Sequence, residues 1–196
     1  MTEEKAKELG LKPKAYLRDF TYVSQDPKDQ LLLGPAYAIP NVLGKAGLNL
    51  KDIDVWEVHE AFAVSSYNYR VGSSAVLMMH LSLMQGQILA NLKALDSDSF
   101  CKNYIGLSEK FGAPTMDKFN LWGGSLSIGH PFGATGIETD FNKHVQDNTE
   151  VDHTHLGVRL AIHAANRLIK EDGQYACIAA CAAGGQVPTK RLYLSM

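Results

Sequence analysis

With 196 residues, 45% of them hydrophobic, the chain is long enough to bury one core and short enough to be half of something larger. Nineteen basic against 21 acidic residues give a net charge of −2, so no positive field points to nucleic acid or an anionic membrane. Three cysteines, Cys101, Cys177 and Cys181, are too sparse and odd in number for a disulfide-stapled secreted fold and argue for a reducing compartment.

Met1 to Lys7 is mixed in charge with no apolar stretch after it, so no signal or transit peptide is expected in this chain. Ala15 to Val23 alternates and is rich in Tyr, Phe and Val, which predicts a strand. Pro27, Gly34, Pro35 and Pro40 then shape a helix within Leu31 to Lys45, closed by Gly47. Ile53 to Val58 reads as a short buried strand with His59-Glu60-Ala61-Phe62 at its C-terminal end, where ligand sites collect in α/β sheets.

The longest apolar run, Ala75 to Met84, is too short to span a bilayer. Its Met78, Met79 and Met84 read better as part of an insert than as a partner surface. Gln87 to Leu95 carries strong helix formers and is followed by the cap-rich Asp96-Ser97-Asp98-Ser99. Asn120 to Gly136 is a glycine-rich loop leading into a helix. Val158 to Lys170 predicts an amphipathic helix with Val158, Ala161, Ile162, Ala165, Leu168 and Ile169 on its apolar face, ended by Gly173. Tyr175 to Ala180 is a small apolar strand, and Gly184-Gly185 turns the chain toward a last strand at Arg191 to Leu194. Strands alternating with helices place the chain in the α/β class as one domain over residues 1–196.

The chemistry-bearing residues lie on loops. His130, in Gly129-His130-Pro131, supplies a base near neutrality, and Cys181, in Cys181-Ala182-Ala183-Gly184-Gly185, supplies a thiol. Acyl transfer through a thioester needs such a pair. Cys177, four residues earlier, reads as a structural thiol. His144, Asp152, His153 and His155 have metal-ligand types, but no glycine or cysteine framework surrounds them, so no metal site is expected.

Taken in order, His59-Glu60-Ala61-Phe62, then Asn120-Leu121-Trp122-Gly123-Gly124 running to Gly129-His130-Pro131, then Cys181-Ala182-Ala183-Gly184-Gly185, the motifs resemble the C-terminal half of a thiolase. Most thiolases have Asn at the first position of the first motif. The β-subunit type of the mitochondrial trifunctional enzyme has His, as here. The resemblance implies a mixed sheet covered by helices, half of the layered thiolase fold. It implies that His130 is the base for the nucleophilic cysteine and, with the water-binding residue His59, bounds one oxyanion hole, and that Cys181 is the acid/base cysteine acting at the substrate α-carbon. The Ala183 N–H, beside Gly184, becomes a donor of the other oxyanion hole, and Gly34-Pro35 becomes a substrate-contacting segment. Both holes make chemical sense, because an enolate and a tetrahedral adduct need oriented donors where negative charge appears.

By the same resemblance the reaction is thiolysis of a 3-ketoacyl-CoA to acetyl-CoA and a shortened acyl-CoA in fatty-acid β-oxidation. Coenzyme A is a substrate, and no metal or redox cofactor takes part. A homo-oligomer, an α-subunit of a trifunctional complex and a mitochondrial location, in the matrix or at the inner membrane, are further implications. The chain departs from the family in lacking the N-terminal domain with its acyl-accepting cysteine. Residues 63–85 and 137–157 read as insertions, and Val187 to Leu194 as an altered tail in which Pro188 removes a ladder donor. Removing both blocks restores the family pattern, as alternative splicing would explain. A catalytically inactive, truncated thiolase is therefore the alternative expectation. A β-ketoacyl synthase relative is disfavoured because that group has histidines where Cys181 stands.

Overall fold

The computed structural model describes residues 1–30, 32–61, 86–129, 158–181 and 186–193. Both blocks read as insertions, the methionine cluster, the His144–His155 group, His130, Ala183 and Gly184 lie outside them.

After a short helix α1 (Glu3–Glu8), the strands are β1 (Tyr16–Ser24), β2 (Val55–Val58), β3 (Tyr175–Ala179) and β4 (Gln186–Tyr193). They form one sheet in the order β1-β4-β3-β2. β2 and β3 run parallel, and β4 is antiparallel to both its neighbours, β1 and β3. A parallel bridge from Trp56 to Phe119 extends the sheet beyond β2. This is the mixed sheet expected from the sequence.

Period-two alternation sorts the side chains of β2 and β3 onto two faces. Trp56, Val58, Cys177 and Ala179 pack against α2 (Gly34–Lys45) and α3 (Gly86–Leu95) through Ala36, Ile39, Leu43, Ile88 and Leu95. Val55, Ala176, Ile178 and Ala180 pack against Leu160, Ala164 and Leu168 of α4 (Val158–Glu171). Burial on both faces is why these strands read as continuous apolar runs. Cys177 and Cys101 are buried thiols of the first core, in keeping with a structural role. Pro35 stands in the first turn of α2, where a missing N–H costs nothing, and Pro40 is tolerated farther along the helix.

Three sequence expectations shift. The buried stripe of α4 is Leu160, Ala164, Ala165, Arg167 and Leu168, so Ala165 and Leu168 lie where expected, whereas Ile162 and Ile169 are half-exposed at 50% and 48%. The helix is rolled away from its most apolar face because Arg167 is drawn inward to a carboxylate. Its guanidinium donates to Glu57 Oε1 at 2.8 Å, to Glu171 Oε1 at 2.9 Å and Oε2 at 3.1 Å, and to the Lys118 carbonyl at 3.2 Å. Burial works against the charge on Arg167, but the bonds to Glu171 and Glu57 outweigh it and raise its pKa. Burial likewise pushes the Glu57 carboxyl up to about 7, with Arg167 opposing. His163 Nδ1 lies 3.9 Å from Glu57 Oε2, yet burial and the two nearby arginines, Arg159 and Arg167, hold its pKa below the usual imidazole range. That contact is therefore no ion pair at neutral pH.

The end of α4 also differs. The left-handed residue is Asp172, with φ 53°, and Gly173 serves by its lack of a side chain, since a Cβ there would meet Asp54 at 2.8 Å. The last strand forms over Gln186–Tyr193, longer than the Arg191–Leu194 expected. Pro188 lies just past the end of the ladder with β3, which stops at Thr189, while the ladder with β1 runs on through it, opposite Tyr22.

Candidate active site

The parallel strands β2 and β3 end side by side, with Val58 opposite Ala179 and the His59 N–H donating to the Ala179 carbonyl at 2.8 Å. His59 and Cys181 thus leave the sheet from neighbouring carboxyl ends, the place where an α/β sheet offers a crevice.

Three amides fix the surroundings. Gln87, on the first turn of α3, donates from Nε2 to Cys181 Sγ at 2.8 Å and accepts from the Ala61 N–H at 3.1 Å. One turn on, Asn91 accepts from the Ala36 N–H at 2.8 Å and donates to the Leu32 carbonyl at 2.9 Å. This ties the buried Gly34-Pro35 start of α2 to the helix that holds Cys181. Asn120 accepts from the Val58 N–H and donates to the Val58 carbonyl, both at 2.8 Å, and reaches Glu60 Oε1 at 3.1 Å. Its φ of 47° is a left-handed conformation that asparagine tolerates better than most residues.

Glu60 in turn receives the Leu126 N–H at 3.2 Å. The Glu60 carboxylate lies so close to Gly124 that any Cβ there would collide with it. The glycine pair therefore lets the loop close over the end of β2 and enter the helical turn Ser125–Ile128, which stops at Gly129 with φ 93°. Ser125 Oγ lies 3.0 Å from His59 Nδ1, and Arg159 Nη2 donates to the same hydroxyl at 3.2 Å. The structure thus brings together His59, Cys181 and the Gly34-Pro35 turn, and sets Gly129 just before His130. His130, Ala183 and Gly184 themselves lie outside the described residues.

Burial pushes the Cys181 thiol up to about 11, against the bonds it receives from its own backbone and from Gln87. At neutral pH it carries its proton and suits proton donation to carbon. Removing the Gln87 donor takes away one hydrogen bond that favours the thiolate. In Gln87→Leu, alkylation of Cys181 at a fixed alkaline pH, read by peptide mass spectrometry, is expected to slow about tenfold, the equivalent of roughly 1.5 kcal/mol for a bond to a charged acceptor. An unchanged rate would show that the bond does not stabilise the thiolate.

Gln87, Asn91, Ser125 and Arg159 are site residues that motif reading misses, and Asn120 stands first in the second motif without a role assigned to it there. The available signals are slight. Gln87 and Asn91 are amides on an otherwise apolar helix face, and such buried amides require partners.

Comparison with known proteins agrees with this geometry. The profile of the family described as thiolase, C-terminal domain, matches residues 11–73 and 79–147. The bovine mitochondrial trifunctional enzyme subunit beta is 55% identical over 186 residues, covering 95% of this chain and 30% of its own length. A probable 3-ketoacyl-CoA thiolase of Caenorhabditis elegans is 56% identical over 185 residues, covering 94% of this chain and 32% of its own length. Human mitochondrial 3-ketoacyl-CoA thiolase superposes with a TM-score of 0.63 at 25% identity, over 100% of this chain and 34% of that one. The chain spans about a third of the length of these relatives. The family profile, the ordered motifs and the shared fold agree: this chain belongs to the thiolase family and represents its C-terminal domain.

Proposed function

We propose that this chain is the acid/base half of a 3-ketoacyl-CoA thiolase. The observation that carries the reading is Cys181, held by Gln87 at the carboxyl end of β3, next to the strand that delivers His59. A thiolate from the remainder of the enzyme attacks the 3-keto carbon and forms the tetrahedral adduct. Collapse breaks the C2–C3 bond, leaving an acyl thioester on the enzyme and the enolate of acetyl-CoA. The Cys181 thiol gives its proton to C2, which a buried thiol that is protonated at neutrality does readily. The hole bounded by His130 and the water-binding His59 stabilises the enolate oxygen, and the Ala183 N–H beside Gly184 stabilises the tetrahedral adducts. His130 takes the proton of the enzyme's attacking thiol and returns it when that thiol leaves, the Cys181 thiolate regains its proton from the thiol of coenzyme A as that attacks the acyl thioester, and Gly34-Pro35 lines the substrate path.

Coenzyme A is a substrate in this scheme, and no metal or redox cofactor enters it. Residues 1–196 form one domain in this reading, with 63–85 and 137–157 as insertions, and transcripts across Phe62 to Gly86 that always include the block would refute splicing as its origin. A homo-oligomer, a trifunctional α-subunit partner and a mitochondrial location belong to the same reading, the last two supported by relatives named as mitochondrial trifunctional enzyme subunit beta. Cys101 and Cys177 are committed to the core. This chain assayed alone is therefore expected to show no thiolysis, the outcome that a truncated, inactive form shares.

The test is hydrogen exchange in an enzyme assembled from this chain and the other thiolase domain. Cys181→Ser is expected to accept an acyl group from a thioester but to lose exchange of the acetyl-CoA α-hydrogen with solvent, measured by deuterium uptake in mass spectrometry. Exchange at the parent rate would refute the assignment.

A further inference from the structure

An amide side chain at the position of His59 would present donor hydrogens in its only ordinary state. An imidazole does so from a given nitrogen only when the proton sits there. The surroundings of His59 decide that question. The ring is buried, with 2% exposure, and its Nδ1 is 3.0 Å from the hydroxyl of Ser125, itself 6% exposed. Arg159 Nη2 donates to that hydroxyl at 3.2 Å. A guanidinium nitrogen has no lone pair to offer, so this contact fixes the oxygen as acceptor toward Arg159. The other Arg159 nitrogens, Nε and Nη1, have no hydrogen-bond partner among the described residues, so Ser125 is the one oxygen to which this side chain is committed there.

The hydroxyl carries one hydrogen, and no other hydrogen bond of that oxygen joins described residues. If Nδ1 were protonated, the oxygen would face two donors and its own hydrogen would be stranded in a buried site. With Nδ1 bare, Arg159 Nη2, the Ser125 hydroxyl and His59 Nδ1 each have a partner. We propose that Arg159 and Ser125 set the tautomer of His59: the guanidinium donates to the Ser125 hydroxyl, the hydroxyl donates to Nδ1, and the ring proton is held on Nε2, where it serves to hold the water of the oxyanion hole. Both are positioning residues, acting through His59. The assignment rests on the thiolase reading only in the use made of the Nε2 proton.

The experiment is nitrogen-15 NMR of the chain labelled at histidine, without substrate, the His59 signals being identified among the seven histidines by their loss in His59→Asn. The parent is expected to show a protonated Nε2 and a bare, hydrogen-bonded Nδ1. In Ser125→Ala the Nδ1 resonance moves to that of a bare nitrogen without a donor, and Ser125→Thr, which keeps the hydroxyl, restores it. In Arg159→Leu the single tautomer gives way to a mixture. A protonated Nδ1 in the parent, or an Nδ1 resonance unmoved by Ser125→Ala, overturns the proposal. Failure of Cys181→Ser to lose exchange would strike the thiolase reading and leave this result untouched.

Discussion

Arg167→Met is expected to cost about 3–5 kcal/mol of stability, the usual consequence of stranding one partner of a buried ion pair. Arg167 and Glu57 are both fully buried, and their 2.8 Å contact is the central bond of the polar cluster between β2 and α4. Without the guanidinium, the Glu57 carboxyl sits among Val55, Leu160, Ala164 and Leu168 with its strongest donor gone, and it must either stay protonated or draw in water. Glu171 loses a partner too, but it is partly exposed and can turn to solvent. Urea unfolding of the parent, Arg167→Met and the double variant Glu57→Leu/Arg167→Met measures the effect. The double variant should regain much of the loss, because the penalty lies in the stranded charge rather than in the missing bond. A single variant within about 1 kcal/mol of the parent, the scale of an exposed pair, would mean that the cluster is open to water.

His130→Ala, in the enzyme assembled with the other thiolase domain, is expected to lower turnover at least about 100-fold while KM changes far less, as loss of a general base does. The turn Ser125–Ile128 and the left-handed Gly129 set the chain direction immediately before His130. Those elements are held by Glu60 and by the Ser125–His59 contact. The substitution leaves these elements in place and removes the proton acceptor. Steady-state thiolysis of a 3-ketoacyl-CoA reads the effect, and near-normal turnover would assign the base elsewhere.

The strands and helices were legible where one physical signal dominates. β2 and β3 show as apolar runs bounded by polar residues, and α2 is bracketed by Pro35 and Gly47. His59 and Cys181 were legible because they sit at strand ends within ordered motifs. The orientation of α4 was not legible, because hydrophobicity counts Arg167 as a surface residue, and only its pairing with Glu57, 110 residues away in sequence, turns it inward. A glutamate enclosed by Val55, Trp56 and Val58 was the available hint, since buried carboxylates require a partner. The contacts that aim the site are likewise long-range: Gln87 to Cys181 spans 94 residues and Asn120 to Val58 spans 62. Local pattern carries no trace of such pairings. Residues that satisfy one another across the fold are hidden until the fold is known.

The position of β4 bears on how this domain is made. The strand that follows the rest of the sheet in sequence lies inside it, flanked by β1 and β3, so β1 joins the sheet through β4. During synthesis Tyr16–Ser24 therefore emerges more than 150 residues before Gln186–Tyr193, its partner. In that interval Leu17, Phe20 and Tyr22, half-exposed even in the finished domain, stand on a strand with unmade backbone bonds. Pairings of such sequence separation form late and slowly. A nascent chain of this kind offers a chaperone its first strand as a binding segment, and a ribosome stalled before Gln186 would release a polypeptide whose sheet cannot close.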